Sequence, residues 1–254
     1  MRLPRRLHHG EATELVEHLG ELRARLVVCL AALGVGFGVS YAFHHRLIHW
    51  LNVPLHGRQP ITLGVAEPFT TSLKVSLYAG FALALPVILW QVWSFLAPAF
   101  KKPAERMLVG FVAVATALFA GGVAFGYEIA LPAAVHFLTN YDSSVYDIQV
   151  RASSYYSFAL IVLLSVGLVF ELPIFILALV RLGVTSATKL RRNRRIGYVA
   201  MAALAVALPG VDPVTTVFEM IPLMVLFEAS IWASVLFERK WALTAPLPAS
   251  SESA

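Results

Sequence analysis

Residues 155–180 read YYSFALIVLLSVGLVFELPIFILALV. The run is too long and continuous for a barrel strand, and in lipid only helices and closed barrels satisfy the backbone. It is read as a membrane-spanning helix. Its single carboxylate, Glu171, lies about nine residues from the end of the run, or about 13 Å into the apolar layer at about 1.5 Å per residue. A carboxylate there is costly and normally faces a wet cavity or a polar partner. A protonated, hydrogen-bonded packing residue is the plainer alternative.

Five further apolar runs flank it: Leu26–Phe43, Ser72–Leu96, Met107–Tyr127, Ile196–Leu208 and Val214–Phe237. The chain is 58% hydrophobic and 14% charged, against about 25% charged in a soluble domain. A dry core cannot account for that excess, so a polytopic membrane protein is expected. The first run sits behind a segment rich in acids and bases and is expected to remain as an anchor. The lone Cys29 allows no internal disulfide. Residues 242–254, rich in Pro, Ser and Ala, are expected to be a disordered tail.

Sixteen of the twenty lysines and arginines fall before run one, between runs two and three, between runs four and five, and after run six. This bias predicts both termini in the cytosol. It also explains the net charge of +5 without nucleic acid as a partner. Ile196 to Pro209 would make about 21 Å of helix against a hydrocarbon core of about 30 Å. Glu219, Pro222 and Glu228 interrupt run six. Two short helices at one edge would thin the bilayer; a short span or hairpin packed in the bundle is the alternative. Pro86, Pro132, Pro173 and Pro222 each remove an amide donor, and repeated kinks suggest a curved wall.

Ahead of the first run stands His18-Leu19-Gly20-Glu21-Leu22-Arg23-Ala24-Arg25. As a helix it carries a leucine stripe and a carboxylate face, with Glu21 and Arg25 at i,i+4. Alone, such a pair is an ordinary solvated ion pair. Glu105 lies on the same expected side, beside Arg106. Two cytosolic carboxylates could jointly hold a pair of guanidinium groups, because arginine's planar fork matches a carboxylate. Asp212 precedes Pro213 in a Pro-Gly turn, an ordinary turn builder. Of Glu219 and Glu228, Glu228 reads as the deeper and better functional candidate. No Walker-type loop, HExxH or GxSxG is present, so no nucleotide or hydrolytic chemistry is expected. The histidines lack fixed metal-ligand spacing.

Taken together these motifs resemble the TatC family, the polytopic receptor of the twin-arginine protein translocase. His18 through Arg25 is similar to its N-terminal HLxELRxR motif. Glu67-Pro68-Phe69 resembles an outer-loop motif, and Leu85-Pro86 through Phe95-Leu96-Ala97-Pro98 resembles the second span leading into the cytosolic loop. Phe170-Glu171-Leu172-Pro173, Asp212-Pro213, Ile221-Pro222 and Phe227-Glu228 follow in family order. The resemblance covers residues 14–238.

It implies an all-α integral membrane fold over residues 1–241: six transmembrane helices, both termini inside, in a kinked cup-shaped bundle with short helices five and six. Residues 1–25 would form a cytosolic amphipathic segment. The chain would be a receptor for twin-arginine signal peptides, exporting folded proteins on the proton-motive force, in the bacterial cytoplasmic membrane. It would have no cofactor and no catalytic activity. Its partners would be single-span TatA/TatB-type proteins and further copies of itself. Glu21, Glu105 and Arg23 would bind the signal peptide. His18, Pro54, Pro86, Phe95, Pro98, Glu171, Asp212 and Glu228 would carry functional or structural roles. The segment from Pro98 to Glu105 is one residue longer than the usual family loop, and Thr216 stands where the family often has glutamine. The alternative function is a small proton- or ion-coupled transporter using Glu171, although no internal repeat is present.

Overall fold

The apolar runs fold as helices, the arrangement that keeps backbone hydrogen bonds internal in lipid. The computed structural model describes residues 9–96, 105–208 and 213–243, with side chains over 20–96, 108–208 and 213–238. The elements are α1 His9–Ala42, α2 His44–Asn52, a 3-10 turn Val53–Leu55, α3 Glu67–Leu96, α4 Glu105–Phe125, a π turn Gly126–Ala130, α5 Leu131–Asn140, α6 Ala152–Val169, α7 Leu172–Arg181, α8 Ala187–Arg192, α9 Arg194–Ala207 and α10 Pro213–Leu243. Among the described residues, five segments are long and apolar enough to cross a membrane: Gly20–Ala42, Glu67–Leu96, Leu108–Asn140, Ala152–Arg181 and Pro213–Glu238. The remaining expected run, the fifth, is α9, with 14 residues, short as read from the sequence.

Three boundaries differ from the sequence reading. The third helical segment does not stop at Tyr127. It passes through the π turn and continues to Asn140, with Pro132, which has no amide to donate, placed directly after the π turn. The sixth helix is not short: α10 has 31 residues and runs unbroken through Pro222. Shortness is confined to α9. Pro86 likewise lies inside a continuous α3, whereas at Pro173 the ladder breaks. There Glu171 N–H turns back to the Leu168 carbonyl at 3.1 Å, and the Ile174 and Phe175 amides reach the Glu171 carbonyl. The tail beyond 243, and Pro98 and Asp212, lie outside the described residues.

The chain forms two compact units. In the first (residues 1–53, 61–116 and 151–157) α1 lies on α3 with glycine at the crossing. A Cβ on Gly36 would stand 2.4 Å from the Gly80 carbonyl oxygen, and one on Gly80 would stand 2.6 Å from the Phe37 nitrogen. Small residues let membrane helices approach to backbone contact. Away from that crossing Leu26, Val27, Leu30 and Val35 face outward, as a lipid-facing surface should. Trp93 is buried and meets Phe111 edge-on at 5.6 Å.

In the second unit (residues 54–60, 117–150 and 158–254) a core of Met201, Ala205, Leu223, Phe227 and Ile231 joins α9 to α10, with Leu172 and Ile176 of α7 packed on it. The α4 and α6 segments of this unit meet through Gly122 and Gly167, where added Cβ atoms would lie 2.8 Å from Phe170 and 2.7 Å from Phe119.

Candidate functional site

The expected ion pair at the N-terminal collar is present. Arg25 Nε donates to Glu21 Oε1 at 3.1 Å, and Nη2 donates to the same oxygen. The guanidinium does more than the sequence indicated. Its Nη1 donates to the Gln91 carbonyl at 3.1 Å, and it lies 6.0 Å from the centre of the Phe95 ring. Gln91 and Phe95 belong to the last two turns of α3, at the end of the helix dipole that favours cations. Arg25 therefore fixes the Glu21 carboxylate against α3. The Glu21 side chain is 40% exposed and that of Arg25 is 20% exposed. Arg23 is exposed.

Glu105 is the first residue of α4, in the same unit as Glu21. The side chains of Glu105 and His18 lie outside those described, as do Pro98 and Asp212. Pro54 is buried in the 3-10 turn.

At the opposite end of α3 the structure builds a site to which the sequence assigned no role. Glu67 accepts from Arg151 Nε at 3.1 Å and Nη2 at 3.3 Å. It also accepts from the backbone amides of Leu63 at 2.9 Å, Gly64 at 3.2 Å and Ser153 at 3.0 Å. Ala152 N–H donates to the Ile61 carbonyl at 2.8 Å, and the Tyr156 hydroxyl donates to Asn52 at 2.6 Å. One carboxylate thereby gathers the loop before α3 and the start of α6. The motif Glu67-Pro68-Phe69 marked the position, but nothing in it named Arg151, 84 residues away.

In the second unit, Glu171 occupies the break between α6 and α7. It is 2% exposed, and neither carboxylate oxygen has a hydrogen-bond partner among the described residues. Such a group has strong affinity for any donor that reaches it. Glu228 is held differently: Arg194 reaches it at 3.3 Å and the Tyr198 hydroxyl donates to it. Of Glu219 and Glu228 on α10, Glu228 is not the deeper. Glu219 is 2% exposed and the Glu228 side chain 27%, the latter meeting Arg194 and Tyr198 in the first turns of α9.

A family model described as "Sec-independent protein translocase protein (TatC)" matches residues 17–222. The chain belongs to the TatC family. The TatC of Desulforapulum autotrophicum is 36% identical over 91% of this chain and 87% of its own length. That of Escherichia coli K12 is 33% identical over 89% and 90%. A crystal structure of the twin-arginine translocase receptor TatC in detergent superposes with a TM-score of 0.75 at 31% identity, covering 85% of this chain and 99% of that one. The chain is thus a multi-pass membrane protein of Sec-independent translocation, with the receptor role in the twin-arginine system. The comparisons do not favour the secondary transporter built on Glu171, which is set aside.

Proposed function

We propose that this TatC-family chain captures twin-arginine signal peptides at the cytosolic face of the bacterial cytoplasmic membrane, both termini being cytosolic. Glu21 and Glu105 accept the two guanidinium groups, and Arg23 flanks them. The observation that carries this reading is the held carboxylate of Glu21, which Arg25 pins from one side while much of the side chain stays open. A pre-positioned carboxylate loses little freedom on binding, and arginine's fork gives it a geometric advantage over lysine. His18, Phe95 and Pro98 shape the surface. Pro54, Pro86, Asp212 and Glu228 have structural roles. Glu171 offers a polar contact to the peptide's apolar stretch or to a recruited helix.

The proposed partners are folded precursors, single-span TatA/TatB-type subunits and further copies of this chain. The driving force is the proton-motive force, and the chain catalyses no reaction. Residues 1–241 form the membrane domain and 242–254 a tail.

The test is capture of an arginine-pair peptide by the detergent-solubilised chain against a paired-lysine control. Preference for arginine should fall in Glu21→Ala and Glu105→Ala and vanish in the double variant. Equal capture of both peptides by the wild type would reject the assignment.

A further inference from the structure

We propose that the exposed arginines of α8 and of the first turn of α9, with Trp232 of α10, form a site for the phosphate headgroup of an anionic phospholipid. Between Arg181 and Arg195 the chain carries six cations and no acid. Glu238 and Glu228 of α10 reach this segment, and both are engaged. Glu238 accepts from the Ala187 backbone amide at 2.8 Å. Glu228 takes Arg194 at 3.3 Å and the Tyr198 hydroxyl. Arg191, Arg192 and Arg195 are exposed, and among the described residues none has a carboxylate partner. Among the described residues of its own unit, no carboxylate neutralises Arg191, Arg192 or Arg195.

What lies beside the charge decides the kind of occupant. The Arg191 guanidinium sits over the Trp232 ring, 5.8 Å from its centre. That indole is 58% exposed, and Ile196 and Val199 of α9 are 68% and 69% exposed. A cation stacked on an outward-facing tryptophan, with outward-facing aliphatic side chains next along the helix, fits the boundary between headgroups and acyl chains. An acidic soluble partner would match the arginines but leave this apolar surface uncovered. A phospholipid satisfies both, with its phosphate in the guanidinium forks and its acyl chains along α9. Two of the N-terminal donors of α8 are already used, since Ser186 caps the Lys189 amide at 3.2 Å and Glu238 caps Ala187. The phosphate is therefore held by side chains. Basic loops that only set topology have no need of an indole stacked on one of their arginines.

The experiment is native mass spectrometry of the full chain in detergent with equimolar phosphatidylglycerol and phosphatidylcholine. The wild type should retain phosphatidylglycerol in preference. Arg191→Gln/Arg192→Gln/Arg195→Gln should lower that preference about tenfold or more, as expected for three cations beside an anionic surface. Lys74→Gln, which removes a cation from the other unit, should leave it unchanged. Millimolar inorganic phosphate should not displace the lipid. Equal retention of the two lipids by the wild type overturns the proposal whether or not the triple variant folds. So does an undiminished preference in the folded triple variant, and so does full displacement by free phosphate, which would assign the site to a soluble anion.

Discussion

The guanidinium of Arg25 on α1 donates to the backbone carbonyl of Gln91 on α3 at 3.1 Å, while its other donors hold Glu21. The collar is therefore not a free amphipathic helix. Its key carboxylate is placed by the end of the second spanning helix.

Replacing Arg25 should damage signal-peptide capture even though Glu21 remains. Arg25→Ala removes charge-assisted hydrogen bonds worth about 1 kcal/mol after screening at a partly exposed site. Affinity for an arginine-pair peptide should fall about fivefold to tenfold. Arg25→Lys should recover little of it, because an ammonium cannot bridge Glu21 and Gln91 as a fork does. Peptide titration by fluorescence anisotropy checks both.

The crossing of α1 and α3 should not tolerate a side chain at Gly36. Its Cβ would stand 2.4 Å from a backbone oxygen of Gly80, so Gly36→Val must separate the helices and should cost about 1–3 kcal/mol or more. Gly38, two residues on, has nothing within 4 Å of its added Cβ, and Gly38→Ala should be neutral or slightly stabilising. Thermal unfolding in detergent should drop clearly for the first and not for the second.

Glu67 and Arg151 should behave as one unit. Glu67→Gln and Arg151→Ala should each lower the melting temperature. The double variant should be no worse than the worse single, because each loses the same contact. Glu67→Ala should be the most damaging, since it also strands the amides of Leu63, Gly64 and Ser153. Additive losses in a double-mutant cycle would contradict the pairing.

Glu171→Gln should fold at least as well as the wild type, because its buried carboxylate has no partner among the described residues to lose. Glu171→Lys should lower stability by about 3 kcal/mol or more, placing an unpaired ammonium in a 2%-exposed site. Chemical denaturation in detergent measures both. Export assays on the Gln variant then separate polarity from charge: full export would confine the role of Glu171 to polarity.

Sequence alone determined the membrane-spanning helices, the short fifth helix, the Glu21–Arg25 pair and the family. Each depends on local quantities: the length of an apolar run, a spacing of four residues, and motifs in order. Run lengths failed where the backbone had a choice. Pro222 read as an interruption and Pro86 as a kink, and the helix continues past both. Pro173 read in the same way and does break the ladder, with Glu171 in the gap. A proline fixes one amide, while its packed neighbours decide whether the helix bends or breaks.

The contacts that only the tertiary structure decided join residues far apart in the chain. Arg25 meets Gln91 across 66 positions and Arg151 meets Glu67 across 84. No periodicity links such residues. They are brought together because the glycines of α1 and α3 set the distance between two backbones, and because one carboxylate must satisfy donors from two loops. Sequence gave the charges and the helices their places along the chain. The packing distance between helices decided which charges meet.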